Sequence, residues 1–161
     1  MGDSTDAAKL PEPARFWTVA EANRRLDGLR ELLPRIRAWV ARLGTIGEER
    51  ERLATFWGPE LRATDHPDRA LLDRLEQEAT NLRGQLEKEV QGLRSEGIEV
   101  KDLESGLVDF YAVLDQEVVF LCWRRGETDI GYFHRLDGGF RTRRPIVPSA
   151  GDPVVGRRTR T

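Results

Sequence analysis

The chain has little of the chemistry that usually marks a site: among its 161 residues it has one cysteine, Cys122, and two histidines. A single cysteine excludes an intramolecular disulfide and the cysteine-rich zinc sites, so a bound metal would need histidine or carboxylate ligands as well. No apolar run approaches the roughly 20 residues that a membrane-spanning helix needs. Residues 1–10 lack the basic-then-apolar order of a secretory signal. These absences predict a cytoplasmic protein with no membrane contact.

Charge of both signs is abundant, with 34% charged residues and a formal net charge of -2. This composition is typical of a globular chain with long solvated helices, and the length suits one domain. Arginines nevertheless concentrate near the C-terminus, at positions Arg135, Arg141, Arg143, Arg144, Arg157, Arg158 and Arg160. The net charge offers no field that attracts nucleic acid, and a solvated tail explains the cluster. We therefore expect no nucleic-acid partner.

Apolar residues recur at spacings of three and four in two long stretches, which is the pattern of amphipathic helices. The first predicted helix covers about 18–57, begins at a capping box from Thr18 to Glu21 and continues through Pro34. The second covers about 66–96 and ends at Gly97, in the position of a left-handed C-cap. Two such helices joined by a short polar loop predict an antiparallel hairpin. Their heptad seams also leave open a coiled-coil homodimer.

After the second helix the apolar period shortens to two, which indicates β-strands. The predicted strands cover about 107–112, 118–124 and 129–134, with turns at Asp115-Gln116 and Gly126-Glu127. Such short links require an antiparallel meander. The predicted class is α+β, a long antiparallel helical hairpin packed on a small three-stranded antiparallel sheet.

This single domain is predicted to span 16–147. It lies between a disordered N-terminal lead, 1–15, and a basic disordered tail, 148–161, because neither end has apolar periodicity.

Two tight turns fix a register in which Asp109 lies opposite Cys122 and Cys122 opposite Gly131. The face predicted to pack on the helices then holds Val108, Phe110, Ala112, Val119, Leu121, Trp123, Ile130, Tyr132 and His134. The other face holds Asp109, Tyr111, Phe120, Cys122, Arg124, Asp129 and Phe133. In this register Cys122 and His134 lie on opposite faces, about 13 Å apart along the strands, and share no metal.

His134 is the polar residue at the rim of the predicted apolar face, and two interpretations of it stay open. It is either a structural histidine, bonded to a carbonyl, a carboxylate or a polar helix residue such as Asn23 or Glu21, or a ligand for a metal or cofactor. For Cys122, the neighbouring Asp109 raises the thiol pKa and favours a buried structural cysteine over a nucleophile.

Several short motifs occur in an order that resembles a bacterial family catalogued as domain of unknown function 2203. They include Gly106 to Phe110, Leu121 to Trp123, Gly126-Glu127 and Phe133-His134, and the resemblance covers about Phe16 to Ile146. Two positions depart from the family pattern, Tyr111 where proline is usual and Phe133 where tryptophan is common. The family is uncharacterised, so the resemblance implies no activity. It does single out polar members of the motifs as candidate ligand-binding residues: Asp109, Cys122, Glu127, His134 and Arg143.

Two functional hypotheses follow. In the first, a metal or small ligand binds in the crevice between sheet and helices, with His134 as metal ligand, Asp109 and Glu127 as co-ligands and Arg143 as an anion contact. Iron, zinc, nickel or haem would suit such a histidine site, and whether it catalyses a reaction stays open. In the second, the chain is a structural or adaptor protein that acts through its helical hairpin as a homo-oligomer.

Overall fold

Two long helices followed by an antiparallel sheet make up the part of the chain that the structure describes. The structure is a computed structural model, and it describes Pro13 and residues 15–147. The predicted disordered ends lie almost wholly outside the described residues. The elements are α1 (Val19–Trp57), α2 (Arg69–Ser95), β1 (Ile98–Asp102), β2 (Leu107–Leu114), β3 (Glu117–Arg124), β4 (Tyr132–Arg135) and β5 (Arg144–Pro145). The predicted α+β class is confirmed, with five strands instead of three.

Helix α1 begins where the capping box predicts. The Glu21 N–H donates to the Thr18 hydroxyl at 3.2 Å, and the Thr18 N–H donates to the Glu21 carboxylate at 3.0 Å. Pro34 lies inside the 39-residue helix and does not end it. No helix in the described part of the chain is both long and apolar enough to cross a membrane.

The two helices pair with each other along their seams. Ion pairs join Arg35 to Glu89, Arg42 to Glu78 and Arg50 to Glu76, so the partner's number falls as the arginine's number rises. This order identifies an antiparallel hairpin. A small apolar cluster of Ile46, Leu75 and Ala79 fills the space between the helices near their connection. The predicted seams are therefore used within the chain.

Gly97 turns the chain from α2 into the sheet. Its φ of +75° lies in the left-handed region, as the sequence predicts for a C-cap glycine. A Cβ at this position would lie 2.5 Å from the Arg15 carbonyl oxygen, so the close approach also requires glycine. Residues 15–18, which precede α1, lie next to Gly97: the backbone N–H of Trp17 donates to the Tyr111 carbonyl at 2.7 Å, and its indole N–H donates to the Glu96 carbonyl.

All five strands are neighbours in chain order and run antiparallel. The β2–β3 turn at Asp115-Gln116 is confirmed, with positive φ at both residues. It sets the predicted register, in which Asp109 lies opposite Cys122. The sequence interpretation missed β1, which has only five residues, and β5, which has two.

The β3–β4 register differs from the prediction by one residue. Phe120 lies opposite His134 and Cys122 opposite Tyr132, because the connection is a longer loop and not a two-residue turn. The Ile130 N–H within this loop donates to the side-chain amide oxygen, Oδ1, of Asn23 in α1 at 2.8 Å. This bond helps to hold the loop on the helix, and pairing with β3 begins at Tyr132.

A one-residue shift exchanges the faces of the last strand. Phe133 packs against the core shared with the helices, whereas the prediction placed it on the other side. The helix-facing side of β2 and β3 is as predicted, with Val108, Phe110, Ala112, Val119, Leu121 and Trp123 in the main core. The opposite face is buried too, and it holds Asp109, Tyr111, Phe120, Cys122 and His134.

Candidate metal centre

Three adjacent strands bring Asp109, Cys122 and His134 together on the sheet face that points away from the helices. One metal-ligating atom from each residue lies within 4.8 Å of the other two. The three residues are 1%, 0% and 2% exposed. The predicted separation of Cys122 and His134 is therefore wrong, because it depended on the β3–β4 register. The predicted location in the crevice between sheet and helices is wrong for the same reason.

Both ring nitrogens of His134 have partners. Nδ1 lies 2.7 Å from the Arg135 carbonyl oxygen, and Nε2 lies 2.9 Å from Asp109 Oδ2. A carbonyl only accepts, so Nδ1 carries a proton. The second proton lies between Nε2 and the carboxyl group, whichever of the two holds it. The predicted alternatives Asn23 and Glu21 do not contact the imidazole: each bonds to a backbone N–H elsewhere.

Asp109 is a carboxyl group in apolar surroundings. Burial raises its pKa above the ordinary range, while His134 acts in the opposite direction. Oδ2 is bonded to the imidazole, but Oδ1 is buried and has no hydrogen-bond partner among the described residues. A buried acceptor without a partner costs about 1–3 kcal/mol. A bound cation would compensate that cost.

The Cys122 thiol lies between the Asp109 carboxyl group and the Arg143 guanidinium. Burial, and then the carboxylate, raise the pKa of the thiol to about 12, and the guanidinium opposes this shift. The thiol is therefore neutral at physiological pH and is not an activated nucleophile. A divalent metal ion would displace the thiol proton, since the thiolate is the form that binds metals.

Arg143 and Glu127 form the outer part of the same site. Arg143 Nη2 lies 2.6 Å from Glu127 Oε1, with the two side chains 14% and 21% exposed. Burial is the largest single influence and raises the pKa of Glu127, but the Arg143 bond, the bond from the Arg124 backbone N–H and the charges of both guanidiniums together bring the pKa below the ordinary value. All five predicted site residues lie in one neighbourhood, although Glu127 is not near enough to join the three ligating atoms.

Aromatic rings hold Arg143 in place. Its Cζ lies 4.2 Å from the centre of the Tyr132 ring and 4.1 Å from that of Phe140. Phe140 belongs to a short 3₁₀ helix, Phe140–Thr142, that immediately precedes the arginine. Sequence reasoning missed both rings, because their role depends on the corrected register and on a loop without periodicity.

The site suits a bare ion better than haem. With His134 2% exposed and Nε2 bonded to Asp109, a haem would reach the imidazole only if the sheet opened. The donor set of one imidazole, one thiol and one carboxylate is of the kind that borderline divalent metals prefer.

Comparison with known proteins gives one informative result. No curated protein and no solved structure matches the chain significantly. A family model described as "Uncharacterized conserved protein (DUF2203)" matches residues 15–146, and this range includes every residue of the site. The match covers most of the 161 residues, so the chain belongs to the uncharacterised family DUF2203.

Proposed function

We propose that this protein binds a divalent transition-metal ion through Asp109, Cys122 and His134. One observation carries the proposal: three atoms of ligand type, from three separate strands, converge within 4.8 Å in a fully buried place. Such a cluster is costly in an apolar interior unless its members are paired. A cation pairs all three at once.

The spacing of the ligand atoms is compatible with a small tetrahedral ion. At bond lengths of about 2.0–2.3 Å, ligand atoms of a tetrahedral zinc lie roughly 3.3–3.8 Å apart. The 2.9 Å between His134 Nε2 and Asp109 Oδ2 would widen slightly, and the longest separation, at most 4.8 Å, would close by up to about 1 Å. Rotation of the side chains supplies shifts of this size.

The orientation of His134 also supports the proposal. A metal-bound histidine usually donates its second ring N–H to a carbonyl or carboxylate, and this bond fixes the tautomer. Here Nδ1 is bonded to the Arg135 carbonyl. Nε2 is consequently the ligand atom, and it already points toward Asp109 and Cys122.

Charge favours a divalent ion of borderline softness. With Cys122 as thiolate and Asp109 as carboxylate, a 2+ ion makes a neutral cluster, which a low-dielectric interior tolerates. Zinc, ferrous iron and nickel all accept sulfur, nitrogen and oxygen ligands together. Three protein ligands leave one coordination position open, as in catalytic zinc sites. If the protein is an enzyme, this open position is where a small molecule would react on the metal.

Metal content of the purified protein tests it. The full chain is expressed without a tag, purified without chelator and examined by elemental analysis, beside His134→Ala and Cys122→Ser. His66→Ala is the matched control, since His66 is the chain's other histidine and lies at the far end of the hairpin. We expect about one ion per chain in the parent and the control, and little in the site variants. A metal-free parent that also fails to take up zinc, iron or nickel would refute the proposal.

The adaptor hypothesis is the second candidate, and exposed apolar side chains on α1 favour it. Phe56 is 78% exposed, and Val40 is 42% exposed in a groove that Leu86 and Val90 of α2 also line. Since other apolar residues of the two helices are buried within the chain, a homodimer would have to form through such exposed positions. Light scattering over a range of concentrations tests this candidate. A monomer throughout, for both the parent and Phe56→Ser, would argue against self-association.

A further inference from the structure

Arg143 presents a buried hydrogen-bond donor that no described residue accepts. Its Nη2 is paired with Glu127, but Nη1 is buried and has no hydrogen-bond partner in the part of the chain that the structure describes. A guanidinium offers its outer nitrogens as a rigid fork that suits carboxylates and other anions. One side of the fork is occupied here and the other is unused.

The unused donor belongs next to the three ligand residues. Tyr132 lies opposite Cys122 in the sheet, and the Arg143 guanidinium packs on the Tyr132 ring, which places it beside one of the ligands. Contacts with Tyr132 and Phe140 at 4.2 Å and 4.1 Å, together with Glu127, restrain its position. The donor is thus already oriented before any ligand arrives, which lowers the entropic cost of binding.

We propose that a small monoanion, such as formate or bicarbonate, occupies the open coordination position of the ion and accepts a hydrogen bond from Arg143 Nη1. This inference depends on the metal site proposed above. The ion with Asp109 and Cys122 is neutral, and Arg143 with Glu127 is neutral, so the site does not repel an anion. The near-complete burial of the three ligand residues restricts the anion to a few atoms.

Cobalt(II) and azide provide the test. Cobalt replaces zinc in sites of this type and gives visible absorption bands that respond to a change of ligand, and azide is a small monoanion that binds metals. The full chain is loaded with one equivalent of cobalt and titrated with azide, with the metal-free protein as a blank. We expect a saturable change of the visible bands in the loaded protein.

Variants of Arg143 assign the effect to its side chain. In Arg143→Gln the azide affinity, compared at full cobalt loading, should fall about tenfold or more, the loss expected for a charge-assisted hydrogen bond. Cobalt affinity is measured separately and should also fall, because the guanidinium favours the Cys122 thiolate. Arg143→Lys keeps the charge but not the fork, so its azide affinity should lie between those of the parent and Arg143→Gln. It serves as the test if circular dichroism shows that Arg143→Gln does not fold. Arg124→Gln is the control, because Arg124 packs on Phe140 from the exposed side.

The outcomes separate the two proposals. Cobalt binding without any azide effect, or with equal azide affinity in both Arg143 variants and the parent, overturns the anion site and leaves the metal site standing. Failure to bind cobalt, zinc or iron overturns both.

Discussion

His134 and Asp109 are joined by a 2.9 Å hydrogen bond between two side chains that are almost completely buried. The bond crosses from β4 to β2 over the intervening strand β3, in which Cys122 lies opposite Asp109 and Phe120 lies opposite His134. Because the Arg135 carbonyl fixes the proton on Nδ1, this contact holds one further proton. The metal-free site is therefore a coupled pair in which a proton stands where an ion would bind.

Coupling of this kind predicts non-additive stability. His134→Ala leaves the Asp109 carboxylate buried without its partner and should lower the free energy of unfolding by about 3 kcal/mol or more. Asp109→Ala alone also removes the partner of a buried imidazole. The double variant removes both polar groups, so its free energy of unfolding should fall by clearly less than the sum of the losses in the two single variants. Urea unfolding of the metal-free proteins measures all three, and strict additivity would contradict the coupling.

Much of the fold follows from local signals. The capping box of Thr18 and Glu21, the glycine at position 97 and the turn at Asp115-Gln116 each depend on neighbouring residues only, and each is found as predicted. The grouping of Asp109 with Cys122 follows from that turn. These interactions lie within a few residues in sequence, which is the range over which a pattern is informative.

The position of His134 could not be predicted in this way. Its face depends on the loop before β4, and long-range hydrogen bonds hold that loop: the Ile130 N–H donates to Asn23 Oδ1, the Arg30 guanidinium to the Thr128 carbonyl, and the Ile146 N–H to the Gly131 carbonyl. A Gly-Glu dipeptide between two strands indicates a tight turn, but these tertiary bonds override it. The candidate metal centre thus rests on long-range hydrogen bonds that periodicity does not reveal.

Asn23 should accordingly stabilise the loop that positions His134, although Asn23 lies on the other side of the sheet. Asn23→Ala leaves the buried Ile130 N–H unpaired, which we expect to cost about 1–3 kcal/mol and to loosen the loop before β4. Asn23→Asp keeps an acceptor in the same place and is the matched control. Thermal unfolding, with hydrogen exchange of the Ile130 amide, checks this. Equal exchange in the alanine variant and the parent would show that the bond does not hold the loop.

The Cys122 thiol predicts an alkaline effect on stability. Its folded-state pKa of about 12 lies above the ordinary value of 9.0, so the folded state retains a proton that the unfolded chain loses. This contribution is fully present below about pH 9 and is lost as the pH rises toward 12. Cys122→Ala lacks it, so its stability should fall less steeply above pH 9. Unfolding at several pH values compares the two proteins, which share every titratable group except this thiol. Parallel curves would contradict the raised pKa.

Metal affinity should rise steeply with pH if the ion occupies the proposed site. Binding displaces the Cys122 proton, because burial and the Asp109 carboxylate raise the pKa of that thiol to about 12. One proton released from the thiol per ion corresponds to roughly a tenfold gain in affinity per pH unit near neutrality. Competition with a chromophoric chelator at about pH 6.5 and 7.5 measures the slope. Cys122→Ala has no thiol proton to release, so its affinity should rise about tenfold less per pH unit than that of the parent. Equal slopes in parent and variant would mean that the thiol keeps its proton and that the ion, if bound, is held without Cys122.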